Sequence, residues 1–337
     1  MMDATVVERF VDGARSGAPL IVRPRGVASP EALAELIAAH RHDLRERLAW
    51  VGAVLFRGFR AVEPRHLARV VRAFSDGPSL AYVGGDTPRT RVGEDVYTST
   101  EAPAAVRIPL HSEMSYLPTH PRHLLFQCVQ PAAHGGETTL ADTRAVLAAL
   151  APSVRERFVA RGVRYLRVIR GRSLGFELLE HVASASKSWM QVFETERRDE
   201  VEARCRSLAL DYRWLPSGHL VTSTVRPAVI AHAVTGEPVW FNQAHLFCFS
   251  PRWMGPLYYA LAMMLYPRRR TRTHQAHYGD GTPIARETLA HVHDVLEQHT
   301  VAHPWARGDL LILDNETCMH GRNAFRGARR VLVAMTG

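Results

Sequence analysis

Two short segments that lie far apart in the chain carry the residues that most constrain its fold. His111 and Glu113 stand two positions apart, and His320 follows more than 200 residues later. In an extended strand, alternate side chains share one face, so His111 and Glu113 can point at one ligand. If His320 completes the set, strands from the middle and from the end of the chain must lie side by side.

Two imidazoles and one carboxylate are the donor set that typically holds non-haem Fe(II) in oxygenases. One face of the metal stays open for a cosubstrate and dioxygen. The His-x-Glu pair alone is weak support, because a chain with 18 histidines can contain one by chance. The alternative is a surface histidine beside a salt-bridging glutamate. The residues around these three positions strengthen the case. We therefore predict that His111, Glu113 and His320 are metal ligands and catalytic residues.

The segment after His320 contains arginines that could bind the carboxylate of a cosubstrate. A keto acid that chelates iron needs its far carboxylate held, and arginine meets a carboxylate with two charge-assisted hydrogen bonds. Arg330 opens an apolar strand at Val331–Val333, where an inward-pointing arginine would serve this purpose. The alternative is that Arg329 and Arg330 are solvated charges at the edge of a sheet.

Hydrophobic periodicity and turn residues predict alternating groups of strands and helices. The predicted helices are Glu31–Leu48, Thr143–Gly162, Glu194–Leu208, Gly255–Tyr266 and Ile284–Gln298. The predicted strands are Ala53–Phe56, Leu124–Val129, Leu220–Val225, Val229–Val234, Pro238–Asn242, Leu310–Leu313 and Arg330–Met335.

This order favours a mainly β protein with helical insertions. We expect one domain over residues 1–337, with a mostly helical insert at about 143–210 and further helices at about 255–298. The outer strand groups each carry part of the predicted site, and a closed antiparallel double-sheet barrel brings such distant strands together. The expected core is therefore a double-stranded β-helix, or jelly roll, flanked by helices. A parallel doubly wound sheet fits poorly, because strict strand–helix alternation and a GxGxxG turn are missing.

Composition argues against several classes of protein. Hydrophobic residues make up 46% and charged residues 22% of the chain, which is ordinary for a globular protein. No run approaches the roughly 18 apolar residues of a membrane span, and the acidic residues near the N-terminus are unlike a secretory signal. The scattered cysteines are expected to be free thiols in a cytoplasmic protein; they are Cys128, Cys205, Cys248 and Cys318.

The net charge of +9 invites a nucleic-acid interpretation, but the arginines are spread along the chain. Only Arg268–Arg272 forms a dense cluster, and no nucleic-acid-binding signature accompanies it. We interpret the cluster as a solvated basic face, or as a docking patch for an acidic partner. No nucleic-acid or membrane partner is expected, and the oligomeric state stays open.

The residues from about Phe56 to Met335 resemble the taurine dioxygenase-like Fe(II)/2-oxoglutarate-dependent oxygenases. Supporting motifs are Val96–Glu101, Gly135–Thr138 and the late histidine with its arginine pair. In that family, the threonine after the Gly-Gly-acid turn helps to bind 2-oxoglutarate. The resemblance implies that Thr138, which lies 27 positions after His111, has this role. It also implies that Arg330, the second arginine of the pair, holds the distal carboxylate of 2-oxoglutarate.

Two departures from the family pattern bear on the substrate. Glu113 stands where taurine dioxygenase has aspartate, and Ala334 falls where its sulfonate-binding arginine would be, so taurine is not the expected substrate. Glutamate occurs in the branch that β-hydroxylates amino acids in nonribosomal peptide assembly, the syringomycin type. The strings His111–Tyr116, Trp240–His245 and Tyr278–Gly281 resemble that branch. Related halogenases lack the carboxylate ligand, so Glu113 favours hydroxylation.

The resemblance therefore implies a hydroxylase that uses Fe(II), 2-oxoglutarate and O2 in natural-product (antibiotic) biosynthesis. Its substrate would be an amino acid, either free or tethered to an acidic carrier protein. The alternatives are the same chemistry on another small metabolite, with hydroxylation, desaturation or cyclisation, and a non-catalytic jelly roll that binds metal. Arg322 could pair with a substrate carboxylate or with Asp314. The candidate substrate residues are Ser115, Tyr116, Asn242, His245 and Arg322.

Overall fold

The computed structural model of the chain describes residues 6–9, 17–26, 28–77, 89–171, 187–266 and 272–337. The helices within these ranges are α1 (Pro30–Ala39), α2 (Arg41–Val51), α3 (Pro64–Phe74), α4 (Thr143–Ala149), α5 (Pro152–Arg161), α6 (Trp189–Phe193), α7 (Arg198–Ser207), α8 (Pro251–Met254), α9 (Pro256–Leu265) and α10 (Arg286–Gln298).

The strands fall into three larger sheets and two strand pairs. They are β1 (Val6–Arg9), β2 (Leu20–Arg23), β3 (Ala53–Phe56), β4 (Arg91–Gly93), β5 (Val96–Thr98), β6 (Ile108–His111), β7 (His123–Gln130), β8 (His134–Gly135), β9 (Thr138–Asp142), β10 (Val163–Ile169), β11 (Asp211–Trp214), β12 (Leu220–Arg226), β13 (Val229–Ala231), β14 (Pro238–Trp240), β15 (His274–Tyr278), β16 (Val301–His303), β17 (Leu310–Asp314), β18 (Cys318–Arg322), β19 (Phe325–Arg326) and β20 (Arg330–Thr336).

Two sheets enclose the core that surrounds the predicted site. The major sheet has the strand order β1-β2-β3-β17-β7-β20-β5-β4, and the minor sheet has the order β16-β9-β18-β6. Side chains from both sheets fill one hydrophobic cluster, such as Phe126 of β7 and Met319 of β18. The aromatic rings of Phe126 and His320, one from each sheet, have centroids 5.3 Å apart. This architecture is the double-stranded β-helix predicted from the sequence.

The major sheet is buried on both faces, which explains its nearly continuous apolar strands. On β7, Leu124 and Phe126 face the interior between the two sheets. Leu125, between them, packs in a second cluster with Leu33 of α1 and Val70 of α3. Helices therefore cover the outer face of the major sheet, while its inner face forms one wall of the barrel.

Strands that are distant in sequence are neighbours in both sheets. In the major sheet, β17 pairs with β3 and β7, all antiparallel. In the minor sheet, β18 lies between β9 and β6, and its register places His320 opposite His111. The strands that carry the two histidines therefore pair with each other, as predicted from the positions of His111 and His320.

The predicted helix Glu31–Leu48 is in fact two helices, α1 and α2, which are separated at His40. The N-terminal start was predicted correctly, because Ser29 accepts a hydrogen bond from the backbone of Ala32 and Pro30 occupies the first turn. The break was missed because both helices bury one continuous stripe of apolar residues, which includes Ile37 and Leu44. A periodic pattern of this kind does not reveal a one-residue interruption.

The prediction of a mostly helical segment at 143–210 was wrong in part, because it contains β10 (Val163–Ile169). β10 is an inner strand of a third sheet with the order β11-β12-β10-β15. Its burial alternates from residue to residue, which is the signature of a half-buried strand. The predicted helix Thr143–Gly162 is also divided, since Pro152 begins a new helix, α5. Residues 172–186 lie outside the described ranges.

Some sequence features have no bearing on the site. Within the described ranges, no helix has the length and apolar character needed to cross a membrane. The four cysteines are free, and Cys248 is the only one of them that is not fully buried. Of the basic cluster Arg268–Arg272, residues 268–271 lie outside the described ranges. The guanidinium of Arg272 donates a hydrogen bond to the sulfur of Met263 on α9.

Candidate active site

The site lies where β6 and β18 run side by side in the minor sheet. The rings of His111 and His320 have centroids 4.3 Å apart. Glu113 follows β6 by two residues, and its Oε2 lies 3.8 Å from Nε2 of His320. The potential donor atoms of the three residues all lie within 4.8 Å of one another. The structure therefore brings together the three predicted ligands, and all three are largely buried.

Glu113 has a buried cationic partner, Arg89. The Nη2 atom of Arg89 donates a hydrogen bond of 2.6 Å to Oε2 of Glu113, and the two side chains are 3% and 5% exposed. Burying a charge without a partner is costly, and the guanidinium of Arg89 supplies that partner within the protein. An ionised carboxylate is the form that binds a metal.

Both histidines are held in the neutral form. Burial lowers the pKa of His111, and it lowers the pKa of His320 well below the ordinary value, with the nearby His111 adding to the effect. The Nδ1 atom of His111 lies 2.9 Å from the carbonyl oxygen of Pro109. Because a carbonyl only accepts, Nδ1 carries the proton, and Nε2 of His111 keeps a lone pair for a ligand bond.

Two of the candidate substrate residues, His245 and Asn242, are bound to backbone groups. His245 is buried, and its Nε2 donates to the carbonyl of Leu110, the residue next to His111. Burial lowers the pKa of His245 to about 3. The amide of Asn242 donates to the carbonyl of Ala228 and accepts from the backbone N–H of Ala244. His245 thus holds the strand that carries His111, whereas Asn242 binds the backbone of its own part of the chain.

Ser115 and Tyr116 follow Glu113 in the turn after β6, and both side chains are buried. The ring of Tyr116 packs against the rings of Tyr165 and Phe247, with centroid distances of 6.2 and 5.3 Å. The two residues lie close to the ligand cluster along the chain, and Tyr116 belongs to an aromatic group with Tyr165 and Phe247.

Arg322, on β18, has partners that the sequence did not suggest. Its two Nη atoms donate to three backbone carbonyls between residues 102 and 106, at 2.7 to 3.1 Å. The predicted alternative, an ion pair with Asp314, is wrong. Asp314 instead accepts hydrogen bonds from His232 and Arg122. Arg322 therefore fastens the loop before β6 to the strand that carries His320.

Thr138 begins β9, next to β18, and its side chain is buried. The indole Nε1 of Trp305 donates a hydrogen bond of 3.0 Å to its hydroxyl oxygen. A threonine hydroxyl has one proton to donate in addition to its lone pairs. Because Trp305 uses a lone pair, the Thr138 proton remains for another acceptor.

The two arginines that open β20 have different surroundings from those predicted. Along β20, Val331, Val333 and Met335 belong to the cluster inside the barrel. Strand alternation therefore favours the outer side for Arg330, the first residue of β20, whereas Arg329 precedes the strand. In agreement, Arg330 is exposed, whereas Arg329 is half-buried.

Arg329 lies beside the turn that leads into β9. Its Nε donates to the carbonyl of Gly136, two residues before Thr138, and its guanidinium lies 5.7 Å from the ring centroid of Phe325. Burial lowers the pKa of Arg329 to about 10. Among the described residues, no carboxylate forms an ion pair with it. Arg329 is therefore a half-buried cation that lies close in the chain to Thr138.

Sequence reasoning missed four residues around the site: Arg89, Trp305, Asn315 and Arg329. The sequence shows Arg329 beside Arg330 but does not indicate which of the two is the more buried. Asn315 directly follows the apolar strand β17, but the sequence does not indicate which backbone groups it contacts. For Arg89 and Trp305, no sequence pattern indicated the contacts they make.

Residues 16–336 match the model of the family described as "Taurine catabolism dioxygenase TauD, TfdA family". The dapdiamide synthesis protein DdaC of Enterobacter agglomerans is 36% identical over 323 residues, which cover 95% of this chain and 92% of DdaC. A clavaminate synthase-like protein of Arabidopsis thaliana is 28% identical over 327 residues, which cover 94% of this chain and 93% of that protein.

Among solved structures, PvcB from Pseudomonas aeruginosa is similar with a TM-score of 0.51. The match covers 98% of this chain and 90% of PvcB at 21% sequence identity. A further structure presents PvcB as an Fe, alpha-ketoglutarate dependent oxygenase from an isonitrile synthetic pathway. At this level of identity the similarity establishes the fold that the chains share.

Proposed function

The chain belongs to the TauD/TfdA family of dioxygenases, and from this premise we propose that it is an Fe(II)- and 2-oxoglutarate-dependent hydroxylase. Its proposed substrate is an amino acid, either free or tethered to a carrier protein. The observation that carries the proposal is the cluster of His111, Glu113 and His320, whose donor atoms lie within 4.8 Å of one another. Two imidazoles and a carboxylate form the ligand set of non-haem Fe(II) oxygenases.

The protonation states of these residues fit a divalent metal. Burial keeps His111 and His320 neutral by lowering the pKa of each, so each imidazole has a lone pair to offer. Glu113 supplies the negative charge. When bound there, iron would activate dioxygen together with 2-oxoglutarate and so supply the oxidising chemistry. The surrounding protein supplies the geometry of the ligand set.

We propose that Arg329 and Thr138 hold the distal carboxylate of 2-oxoglutarate. Arg329 is half-buried, and its Nε donates to the carbonyl of Gly136, close in the chain to Thr138. Its planar fork can make two hydrogen bonds to a carboxylate, and the Thr138 proton can make a third. Arg330, which was predicted for this role, points toward solvent.

A role in natural-product biosynthesis is supported by the relationship to DdaC, a dapdiamide synthesis protein that is 36% identical over nearly the whole chain. Glu113 supports hydroxylation over halogenation, because it occupies the coordination position that a halide would need. The net charge of +9 is compatible with an acidic carrier protein as the source of the substrate.

The test is succinate formation from 2-oxoglutarate by the purified protein, with Fe(II), dioxygen and candidate substrates. Free amino acids and their carrier-bound thioesters are compared, and products are examined by mass spectrometry for a gain of one oxygen atom. We expect succinate only when Fe(II) is present, and none from His111→Ala.

The same assay separates the competing interpretations. A substrate that loses two hydrogens while succinate forms would indicate desaturation or cyclisation in place of hydroxylation. Metal binding without succinate formation on any substrate would indicate a binding protein. Unchanged turnover by His111→Ala would contradict the assignment of the site.

A further inference from the structure

We infer that Asn315 is a positioning residue for Glu113: its side-chain amide fixes the backbone from which the carboxylate reaches toward His111 and His320. This inference rests on the proposed function, because it assigns Glu113 a ligand role. Asn315 lies 202 positions from Glu113 in sequence, and its side chain binds the backbone N–H and carbonyl of Glu113. Neither composition nor spacing indicates the contact.

The amide of Asn315 holds both polar groups of the Glu113 backbone. Its Oδ1 accepts from the Glu113 N–H at 2.7 Å, and its Nδ2 donates to the Glu113 carbonyl at 3.0 Å. The second Nδ2 proton goes to the carbonyl of Pro121 at 2.9 Å. Asn315 is 0% exposed, so water does not compete for these bonds. Both donors and the acceptor of the amide are therefore committed to this turn.

Glu113, whose backbone Asn315 holds, is followed by a residue in an unfavourable backbone conformation. Met114 has a φ of 56°, in the left-handed region that non-glycine residues rarely occupy. Such a conformation persists only where the surroundings over-determine it. The carbonyl of Glu113 belongs to the peptide unit that joins it to Met114, and Asn315 holds that carbonyl directly. Without the clamp, this turn can relax and the Glu113 carboxylate can swing away.

Asn315 is itself held rigidly in the turn between β17 and β18. The carboxylate of Asp314 accepts from the backbone N–H groups of Glu316 and Thr317, which fixes the turn. The backbone N–H of Asn315 donates to the carbonyl of Arg122 at 2.9 Å. The same turn leads into β18, which carries His320. One turn therefore sets the position of His320 through the chain and the position of Glu113 through the Asn315 amide.

The test is the affinity of the folded, metal-free protein for Co(II), measured by calorimetry and by the visible absorption of the bound ion. We expect Asn315→Ala to weaken Co(II) binding about 10- to 100-fold, the usual effect of removing a group that orients a ligand. The absorption of bound Co(II) should also change, because the carboxylate no longer takes its place.

Asn242→Ala is the matched control. Asn242 is also 0% exposed, and its amide also makes a donor and an acceptor bond to the backbone, but to Ala228 and Ala244. We expect a comparable fall in the unfolding midpoint for the two variants. Co(II) affinity should stay within about twofold of the wild type for Asn242→Ala, since distant sites act independently.

A second comparison asks whether the effect passes through Glu113. In a Glu113→Ala background, where only the two imidazoles bind the ion, adding Asn315→Ala should leave the affinity for Co(II) unchanged. A further weakening there as large as in the wild-type background would overturn the inference. So would an Asn315→Ala variant that binds Co(II) like the wild type.

If Asn315→Ala does not fold, Asn315→Gln decides the question. It keeps the amide but displaces it by one methylene, so it should fold and still bind Co(II) more weakly than Asn242→Ala. A Gln variant with wild-type affinity would overturn the inference. A wild-type protein that binds no Co(II) at all would instead contradict the proposed function, so the two failures are distinguishable.

Discussion

At the scale of single residues, two adjacent arginines illustrate how one position decides a role. Arg329 and Arg330 share chemistry and charge, but they have different surroundings in the folded chain. Arg329 bonds to Gly136 near Thr138, whereas Arg330 is exposed. Substitution of each arginine therefore tests the proposed role in 2-oxoglutarate binding, and each variant serves as the control for the other.

We expect Arg329→Ala to raise the KM for 2-oxoglutarate at least about 30-fold, because removing one partner of a buried charged pair costs about 2 kcal/mol or more. High 2-oxoglutarate should restore part of the activity. Arg330→Ala should leave the KM within about twofold, as exposed substitutions usually do. Succinate formation at varied 2-oxoglutarate measures both values, and the reverse pattern would return the role to Arg330.

At the scale of elements, β18 is the strand on which the site depends. It lies between β9 and β6, so its backbone contacts both neighbours. Gly321, next to His320, has no room for a side chain. A Cβ there would lie 2.5 Å from the carbonyl oxygen of Ile108 on β6 and 2.6 Å from the Thr139 hydroxyl on β9. The absence of a side chain at Gly321 lets the two histidine strands approach each other.

Gly321→Ala should force β6 away from β18 and so separate His111 from His320. We expect a loss of about 1–3 kcal/mol in the free energy of unfolding, as in other overpacked sites, together with weaker Co(II) binding. Urea unfolding and calorimetry measure the two effects. Gly26→Ala is the control, because a Cβ at Gly26 meets nothing within 4 Å. Equal behaviour of the two variants would show that β6 does not need this close approach.

At the scale of the whole molecule, several buried histidines make the fold sensitive to acid. Burial lowers the pKa of His123, His293 and His303 to about 4 and that of His245 to about 3. In the unfolded chain, histidine has a pKa of about 6.5. Between these values the unfolded chain binds protons that the native protein does not bind, so the free energy of unfolding falls as the pH falls.

His245→Gln isolates one of these contributions, since glutamine can still donate to the carbonyl of Leu110 but does not titrate. Between pH 7 and pH 5, one such histidine accounts for a loss of about 2 kcal/mol in the free energy of unfolding. We therefore expect the decrease over this range to be smaller by about that amount in the variant. Urea unfolding at the two pH values measures it, and identical decreases would mean that His245 titrates normally in the native protein.

Much of this protein could be predicted from local sequence. The apolar runs of β3, β7, β17 and β20 identify strands, because burial on both faces leaves a continuous hydrophobic signal. The spacing of His111 and Glu113, with a distant histidine, required strands from two parts of the chain to meet. These features can be predicted from the sequence because each depends on neighbouring residues or on the chemistry of one donor set.

Only the tertiary structure determines which side chains form the candidate site and which make hydrogen bonds to backbone groups. Asn315, Arg322 and Asn242 all find backbone partners, and only the folded chain determines which carbonyls come within their reach. The contact of Arg329 with the carbonyl of Gly136 depends in the same way on packing between distant parts of the chain. Partners of this kind are chosen by contacts between residues far apart in sequence, so local periodicity and composition carry no record of them. The sequence by itself determined the donor set and the barrel, and long-range packing determined how that set is held.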